Sequence, residues 1–377
     1  MSTDNDTENY SEDEEDSFID WTMNIFNDRY IAIKKLGKGS YCSVWLSYDL
    51  KINKMIALKI YNREDYRRAK REIKNFDDIK SRSITNVITY KDKFIYEDED
   101  YDSNDEGSNS ESSEFTTNKF LCVTMDLCGY SLNDVIKIFK NEGQSIPHEF
   151  ILDVHNKTKS ILDKLHANGL AHTDIKPENI LIDKIKFEFL HFINLEKELK
   201  NKKRKDIVSR LNKSLVETNN PNITDIITYI ISTPNNIYLC DMGTTMKPGD
   251  PTIYKKHTLY YRAPESILEL GWDYSYDLWS LGCTLYELLT NNILFNVDNN
   301  IELLYDIQTK LGVYPRYLIE QSPIKYKYYN KKLTLIRGYK KINFVNIYEI
   351  YPDSESEIEI LHLIGKYLSY DIKKRIS

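Results

Sequence analysis

The sequence predicts an α+β chain in two lobes, a small strand-rich lobe followed by a larger, mostly helical one. Short alternating apolar runs, interrupted by one charged helical segment, occupy the chain up to Met125. From Ser131 onward the apolar spacing becomes helical. A length of 377 residues accommodates two cores, at roughly 100–200 residues per domain.

Residues 1–27 are acidic and lack apolar periodicity before Phe18, which predicts a disordered tail. Such a tail is either a solvated arm without a role or a docking or regulatory arm. Tyr30–Leu36 alternates as a strand. Gly37-Lys-Gly-Ser-Tyr-Cys-Ser-Val44 follows, and its two glycines let backbone amides approach phosphates with no Cβ in the way. Alone, a G-x-G is a weak signal. Val44–Tyr48 predicts a second strand and Met55–Ile60 a third. Tyr66–Ile79 is charged, with Ala69, Ile73 and Phe76 on one side, and predicts a helix. Val87–Tyr96 and Phe120–Met125 predict two further strands. Between them, 97–118 is acidic and rich in Ser, Asn and Gly, which predicts an inserted hairpin loop. The small lobe therefore covers 28–127 and the large lobe 128–377.

Ser131–Phe139 and Phe150–Asn168 have helical apolar spacing. The second leads into His172-Thr-Asp-Ile-Lys-Pro-Glu-Asn179 and then the apolar run Ile180–Ile182. The polar stretch thus reads as a loop held between a buried helix and a buried strand. In an extended loop, residues two apart point the same way, so Asp174 and Lys176 can face one substrate. Pro177 biases Lys176 away from helical geometry. A carboxylate, an ammonium and the amide of Asn179 suit phosphoryl transfer. The base takes a hydroxyl proton, the cation holds the transferring group and the amide oxygen helps hold magnesium.

This loop resembles the catalytic loop of protein kinases, in which Lys-Pro-Glu-Asn is typical of serine/threonine kinases. The resemblance extends from about Tyr30 to Ser377 through the glycine-rich loop, Ala57-Leu-Lys59, Asp241-Met-Gly243 and Tyr261-Arg-Ala-Pro-Glu265. It implies a bilobal protein-kinase fold, a small antiparallel β-sheet lobe with the family's helix αC and a larger helical lobe. It implies ATP and Mg2+ as cofactors. Asp174, Lys176 and Thr258 are the implied catalytic residues, Thr258 touching the other two. The implied nucleotide site comprises Leu36, Gly37, Lys38, Gly39, Ser40, Tyr41, Cys42, Ser43 and Val44, with Ala57 and Lys59. Glu72 is the implied partner of Lys59, with Glu64 as the competing candidate. Asp126, Leu127 and Cys128 resemble the hinge whose backbone binds adenine, and Met125 guards the back of the pocket or simply packs the core. Asn179 and Asp241 are the implied metal ligands. Cys42 stands where the family has a third glycine, and Met242 where it has phenylalanine.

Within the family the chain looks most like the SR-protein kinases. His172-Thr-Asp174 replaces His-Arg-Asp, a charged insertion (183–235) precedes Asp241, and Leu311–Ile319 with Tyr329–Leu333 resemble that branch's large-lobe insert. The arginine that Thr173 replaces normally receives an activation-segment phosphate, so activity without upstream phosphorylation is implied. Lys325–Lys341 is basic, whereas SR-protein kinases dock arginine-rich substrates on acidic surfaces. Asp277 is expected to brace the catalytic loop, and Arg375 to pair with Glu265.

Net charge is −7, concentrated in two acidic segments, which argues against a general nucleic-acid binder. The five cysteines form no C-x-x-C pair, which fits a reducing compartment. No apolar signal core and no run of roughly 18 apolar residues is present. An intracellular protein is expected, cytoplasmic, and nuclear too if Lys202-Lys-Arg-Lys205 is an import signal rather than a solvated face. Richness in Ile, Lys, Asn and Tyr suggests an AT-rich source such as a virus or protist. The expected partner is a protein substrate with a Ser or Thr acceptor, met by a monomer; no membrane partner is expected. The rival readings are a pseudokinase scaffold and a small-molecule kinase of related fold.

Overall fold

The computed structural model describes residues 19–39, 41–98, 119–217, 221–232, 235–250, 258–336 and 354–376. Most of the acidic tail, Ser40, most of the acidic loop and the end of the basic stretch lie outside the described residues.

The small lobe is one antiparallel sheet of β1 (Ile25–Phe26), β2 (Tyr30–Gly39), β3 (Cys42–Asp49), β4 (Lys54–Tyr61), β5 (Tyr90–Glu97) and β6 (Lys119–Met125). Its spatial order is β1-β2-β3-β4-β6-β5. The β2–β3 register, with Gly39 opposite Cys42, makes the glycine-rich segment a hairpin rather than a free loop. Helix α1 (Tyr66–Ser81) buries Ala69, Phe76 and Ile79. Those residues recur at helical spacing, so one stripe faces the core while the charged residues face water.

Two sequence expectations change here. The disordered tail predicted over residues 1–27 does not hold for residues 19–27, where Trp21 and Phe26 are buried. Trp21 packs edge-on against Phe26, Tyr96 and Phe120 at 5.1–5.8 Å between ring centroids. Isolated aromatics carry no period, so the pattern gave no sign of them. The fourth predicted strand begins at Tyr90, not Val87. Val87 instead bridges Leu239 in parallel, and the Ile88 amide donates to the Leu239 carbonyl at 2.8 Å.

The large lobe begins with α2 (Leu132–Asn141) and α3 (His148–Ala167). Ser131 and Asp134 form a reciprocal capping box at the start of α2, satisfying amides the helix cannot. A two-stranded ribbon of β7 (Ile180–Ile182) and β8 (Ile237–Leu239) carries the active-site loops. After α4 (Phe187–Leu199), α5 (Arg204–Ser214) and α6 (Ile223–Ile231), which fall between those strands, come α7 (Pro264–Ile267) and α8 (Ser275–Thr290). Then follow α9 (Asn300–Leu311), α10 (Arg316–Gln321), α11 (Lys325–Tyr328), α12 (Glu355–Tyr367) and α13 (Ile372–Ile376). Helix α8 is buried almost all round. At Gly282 an added Cβ would lie 2.9 Å from Cβ of Tyr367, so this glycine allows α8 and α12 to touch. Buried Arg375 closes the chain end on Glu265, with Nη2 to Oε2 at 3.1 Å, and lies 4.9 Å over the Trp279 ring.

Within the 183–235 insertion, α4 and α5 form an added layer on the small lobe, while Ile227 and Ile230 of α6 join the main core. Phe189, Phe192, Leu195 and Leu199 of α4, with Ile207 and Leu211 of α5, pack on Ile31, Ile33, Leu46, Tyr48 and Met55 of the small-lobe sheet. Glu196 accepts the Met55 amide at 2.7 Å. At its large-lobe root, Tyr229 meets Phe187 edge-on at 5.0 Å and the Tyr130 hydroxyl accepts the Phe187 amide. A segment rooted in one lobe thus covers the outer face of the other. The Lys202–Lys205 run is exposed, and Arg204 pairs with Asp28 at 3.2 Å.

Candidate active site

Lys59 sits on β4 opposite Val123 of β6, with its ammonium 2.7 Å from both carboxylate oxygens of Glu72 on α1. Both side chains are buried. Glu64 is exposed and takes no part. Tyr61, two residues along the same strand face, donates to Glu72 Oε2 at 3.0 Å. Burial works against the Lys59 charge, but the Glu72 carboxylate outweighs it and holds the ammonium well above its ordinary range.

Across the cleft, the catalytic loop is braced from beneath. Asp277, fully buried on α8, accepts the amides of His172 at 2.9 Å and Thr173 at 2.7 Å, and His166 Nε2 at 2.8 Å. His172 Nδ1 accepts the Asp174 amide, so its proton is on Nε2, which donates to the Cys240 carbonyl at 3.0 Å. Asp174 Oδ1 accepts the Thr258 hydroxyl at 2.9 Å, and Oδ2 lies 2.8 Å from the Lys176 ammonium. Lys176 also donates to Thr258 at 2.7 Å, which closes a three-member ring. Burial raises the Asp174 carboxyl, but Lys176 and Thr258 more than offset it and leave it below the usual carboxylate range.

Asn179 Nδ2 donates to the Asp174 backbone carbonyl at 2.8 Å and to Asp174 Oδ2 at 3.0 Å, leaving Oδ1 as the free-pointing acceptor of the amide. The Asn179 carbonyl takes the Cys240 amide at 3.0 Å, which brings Asp241 beside the catalytic loop. Among the described residues no cluster of three or more His, Cys, Asp or Glu forms a metal cage. The oxygens of Asn179 and Asp241 are hard donors that suit Mg2+ completing its shell with water and phosphate.

The described residues expected at the nucleotide site fall around this cleft. Gly37, Lys38 and Gly39 are exposed at the β2 end of the hairpin, Cys42 and Ser43 are buried on β3, and Leu36 and Val44 are half-buried. Ala57 pairs with Met125, and both are buried. Asp126 is exposed and its carboxylate pairs with Lys91 at 2.7 Å, which leaves only its backbone for a hinge contact. Half-buried Cys128 precedes Gly129, where an added Cβ would lie 1.6 Å from the Lys184 carbonyl, so the hinge end closes on β7 only with glycine. Tyr41 goes further into the cleft than the sequence suggests: its hydroxyl donates to Asp241 Oδ1 at 2.9 Å. Burial and that carboxylate keep the hydroxyl protonated far above its ordinary range.

Residues 30–377 match the family model of the protein kinase domain. The chain belongs to the protein kinase family. Over 368 residues it is 28% identical to the dual specificity protein kinase lkh1 of Schizosaccharomyces pombe, covering 93% of this chain and 46% of that one. Over 335 residues it is 27% identical to the serine/threonine-protein kinase SRPK of Physarum polycephalum, covering 82% and 72%. Over 302 residues it is 26% identical to the serine/threonine-protein kinase AFC2 of Arabidopsis thaliana, covering 78% and 58%. These similarities put the kinase domain in the SR-protein-kinase-like branch of the serine/threonine kinases. The chain spans about half the length of lkh1 and less than two thirds of AFC2.

Sequence reasoning missed three polar side chains of the kinase cleft. Tyr61 was detectable as two residues beyond Lys59 on one strand face. Thr173 was noted for the arginine it lacks, yet its hydroxyl donates to the Thr244 carbonyl at 2.8 Å. Asn75 lies three residues after Glu72, on the same side of α1. It donates to the carbonyls of Met242 at 2.6 Å and Thr245 at 3.0 Å. No described helix is long and apolar enough to cross a membrane.

Proposed function

We propose that this chain is an ATP- and magnesium-dependent serine/threonine protein kinase, active without phosphorylation of its activation segment. The observation that carries the reading is the convergence on one cleft of the Lys59–Glu72 pair, the Asp174–Lys176–Thr258 ring and Asn179 beside Asp241. Bound MgATP supplies the γ-phosphoryl group, and Asn179 and Asp241 are the residues that would hold the metal. Asp174 orients the acceptor hydroxyl and takes its proton as the oxygen bonds to phosphorus and the bond to the leaving ADP breaks. Its depressed carboxyl keeps it ionised for that task at neutral pH. Lys176 neutralises charge gathering on the transferring group, and Lys59, fixed by Glu72, positions the remaining phosphates. Independence from phosphorylation rests on Thr173: it occupies the place of the arginine that would receive a phosphate, and its hydroxyl holds the Thr244 carbonyl instead.

Acceptor chemistry is the deciding test. Radiolabelled ATP offered with Ser/Thr peptides and with small alcohols should label the peptides alone, and Asp174→Asn should abolish the label. Labelling of small alcohols alone would point to a small-molecule kinase. A non-transferring scaffold is the second reading, favoured by the Tyr41 hydroxyl lying on Asp241. It predicts nucleotide binding with no label on either acceptor.

A further inference from the structure

The turn that carries Asp241 is held in a conformation it would not keep by itself. Asp241 has φ 61° and ψ 74°, a left-handed backbone for a residue other than glycine. Thr173, facing it from the catalytic loop, is left-handed as well, with φ 72°. Four carbonyls follow Asp241 in the turn, and those of Met242, Thr244 and Thr245 each receive a hydrogen bond from a side chain outside it. Asn75 Nδ2 takes those of Met242 and Thr245, at 2.6 and 3.0 Å. Thr173 Oγ1 takes that of Thr244, at 2.8 Å, and Thr244 Oγ1 returns a bond to the His172 carbonyl at 3.3 Å.

Both Asn75 partners are carbonyl oxygens, which only accept. The amide must therefore present its NH2 group to them, and the chemistry fixes its orientation. Its two N–H bonds match two carbonyls; leucine would offer none, and aspartate would set acceptor against acceptor. Asn75 follows Glu72 by one helical turn on α1. The helix that places the partner of Lys59 is thus bonded directly to the turn that places Asp241.

We propose that Asn75 is a positioning residue that sets Glu72 and Asp241 in register, a neutral link built into the fold where another kinase needs an ordered activation segment. The inference rests on the kinase reading above and adds a second tie on the Asp241 turn beside that of Thr173. Thr173 holds the same turn from the other side, so α1, the metal-site turn and the catalytic loop form one bonded unit.

The test compares wild type with Asn75→Ala and Asn75→Asp by thermal shift with ATP alone, with ATP plus Mg2+, and by steady-state transfer to a peptide. The link predicts that both variants keep the shift caused by ATP alone and lose most of the increment added by Mg2+. It predicts a kcat lower by on the order of 10- to 100-fold at unchanged peptide KM. A purely structural asparagine would lower the melting temperature of the ligand-free protein and leave the Mg2+ increment intact. That result, or wild-type kcat in both variants, overturns the proposal. If neither variant folds, Asn75→Ser, which keeps one donor, replaces them: a reduced Mg2+ increment supports the link and an undiminished one overturns it. The thermal-shift arm needs no transfer, so a wild type that labels no peptide defeats the kinase reading while this comparison still decides the role of Asn75.

Discussion

The catalytic cleft and the 183–235 insertion belong to the same chain but are held by different kinds of order. In the cleft, Asp174, Lys176 and Asn179 lie within one turn of sequence, and their mutual contacts follow from that spacing. In the insertion, an apolar stripe meets remote partners, and the one polar tie to the sheet described above is remote too: Glu196 holds a backbone amide 141 positions away. Chemistry-bearing motifs are therefore readable locally, whereas an added layer is defined only by the surface it covers. The lysines of α4 and α5, with Glu188 and Glu198, line the outside of helices whose inner stripe, Phe189, Phe192, Leu195 and Leu199, replaces solvent on the small-lobe sheet.

Substitutions on the two sides of this contrast should have opposite signatures. The largest loss of activity should come from the cleft: the isosteric Asp174→Asn should reduce transfer on the order of 10³-fold with a melting temperature near that of wild type. Deleting a ring from the insertion should do the reverse. Phe192→Ala removes a fully buried side chain and should cost about 3–5 kcal/mol of stability, read as a fall in the denaturation midpoint. An unchanged midpoint would mean that α4 is a solvated appendage after all.

Acid should probe the brace beneath the catalytic loop. Burial raises the Asp277 carboxyl, but its bonds from His166 and the Thr173 amide outweigh this and hold it below the usual range. A carboxyl depressed in the folded state stabilises the protein above its unfolded value and loses that contribution as pH falls through the folded one. Stability should therefore fall as pH drops through and below the usual carboxylate range, and Asp277→Asn should lower stability at neutral pH while flattening that acid limb. Equal acid limbs in both proteins would place the sensitivity elsewhere. The smallest effect belongs to Tyr41. Because its hydroxyl occupies Asp241 Oδ1, Tyr41→Phe should lower the KM for MgATP, a change of about 1 kcal/mol or several-fold. A raised KM would show that the hydroxyl assists nucleotide binding.

Legibility followed the same division. Strands β2, β3, β4 and β6 and helices α1, α2 and α3 were readable because alternation and helical spacing report a buried face directly. Glu72 was preferred over Glu64 by its place on the helix, and the structure pairs it with Lys59. What escaped the pattern depended on partners far along the chain: Trp21 needs Phe120, Val87 needs Leu239, and Asn75 needs carbonyls of the Asp241 turn. An asparagine on a charged helix carries no sign of its acceptors until the tertiary structure supplies them.

The central claim is that the cleft is assembled for transfer without an added phosphate. The most direct measurement is the rate of peptide phosphorylation by protein made in bacteria and fully dephosphorylated, before and after treatment with an upstream kinase. The bonded cleft predicts transfer at the outset and no more than a small gain from activation-segment phosphorylation. A dephosphorylated protein that is inert, and that acquires activity only when a threonine or tyrosine of that segment is phosphorylated, would contradict it.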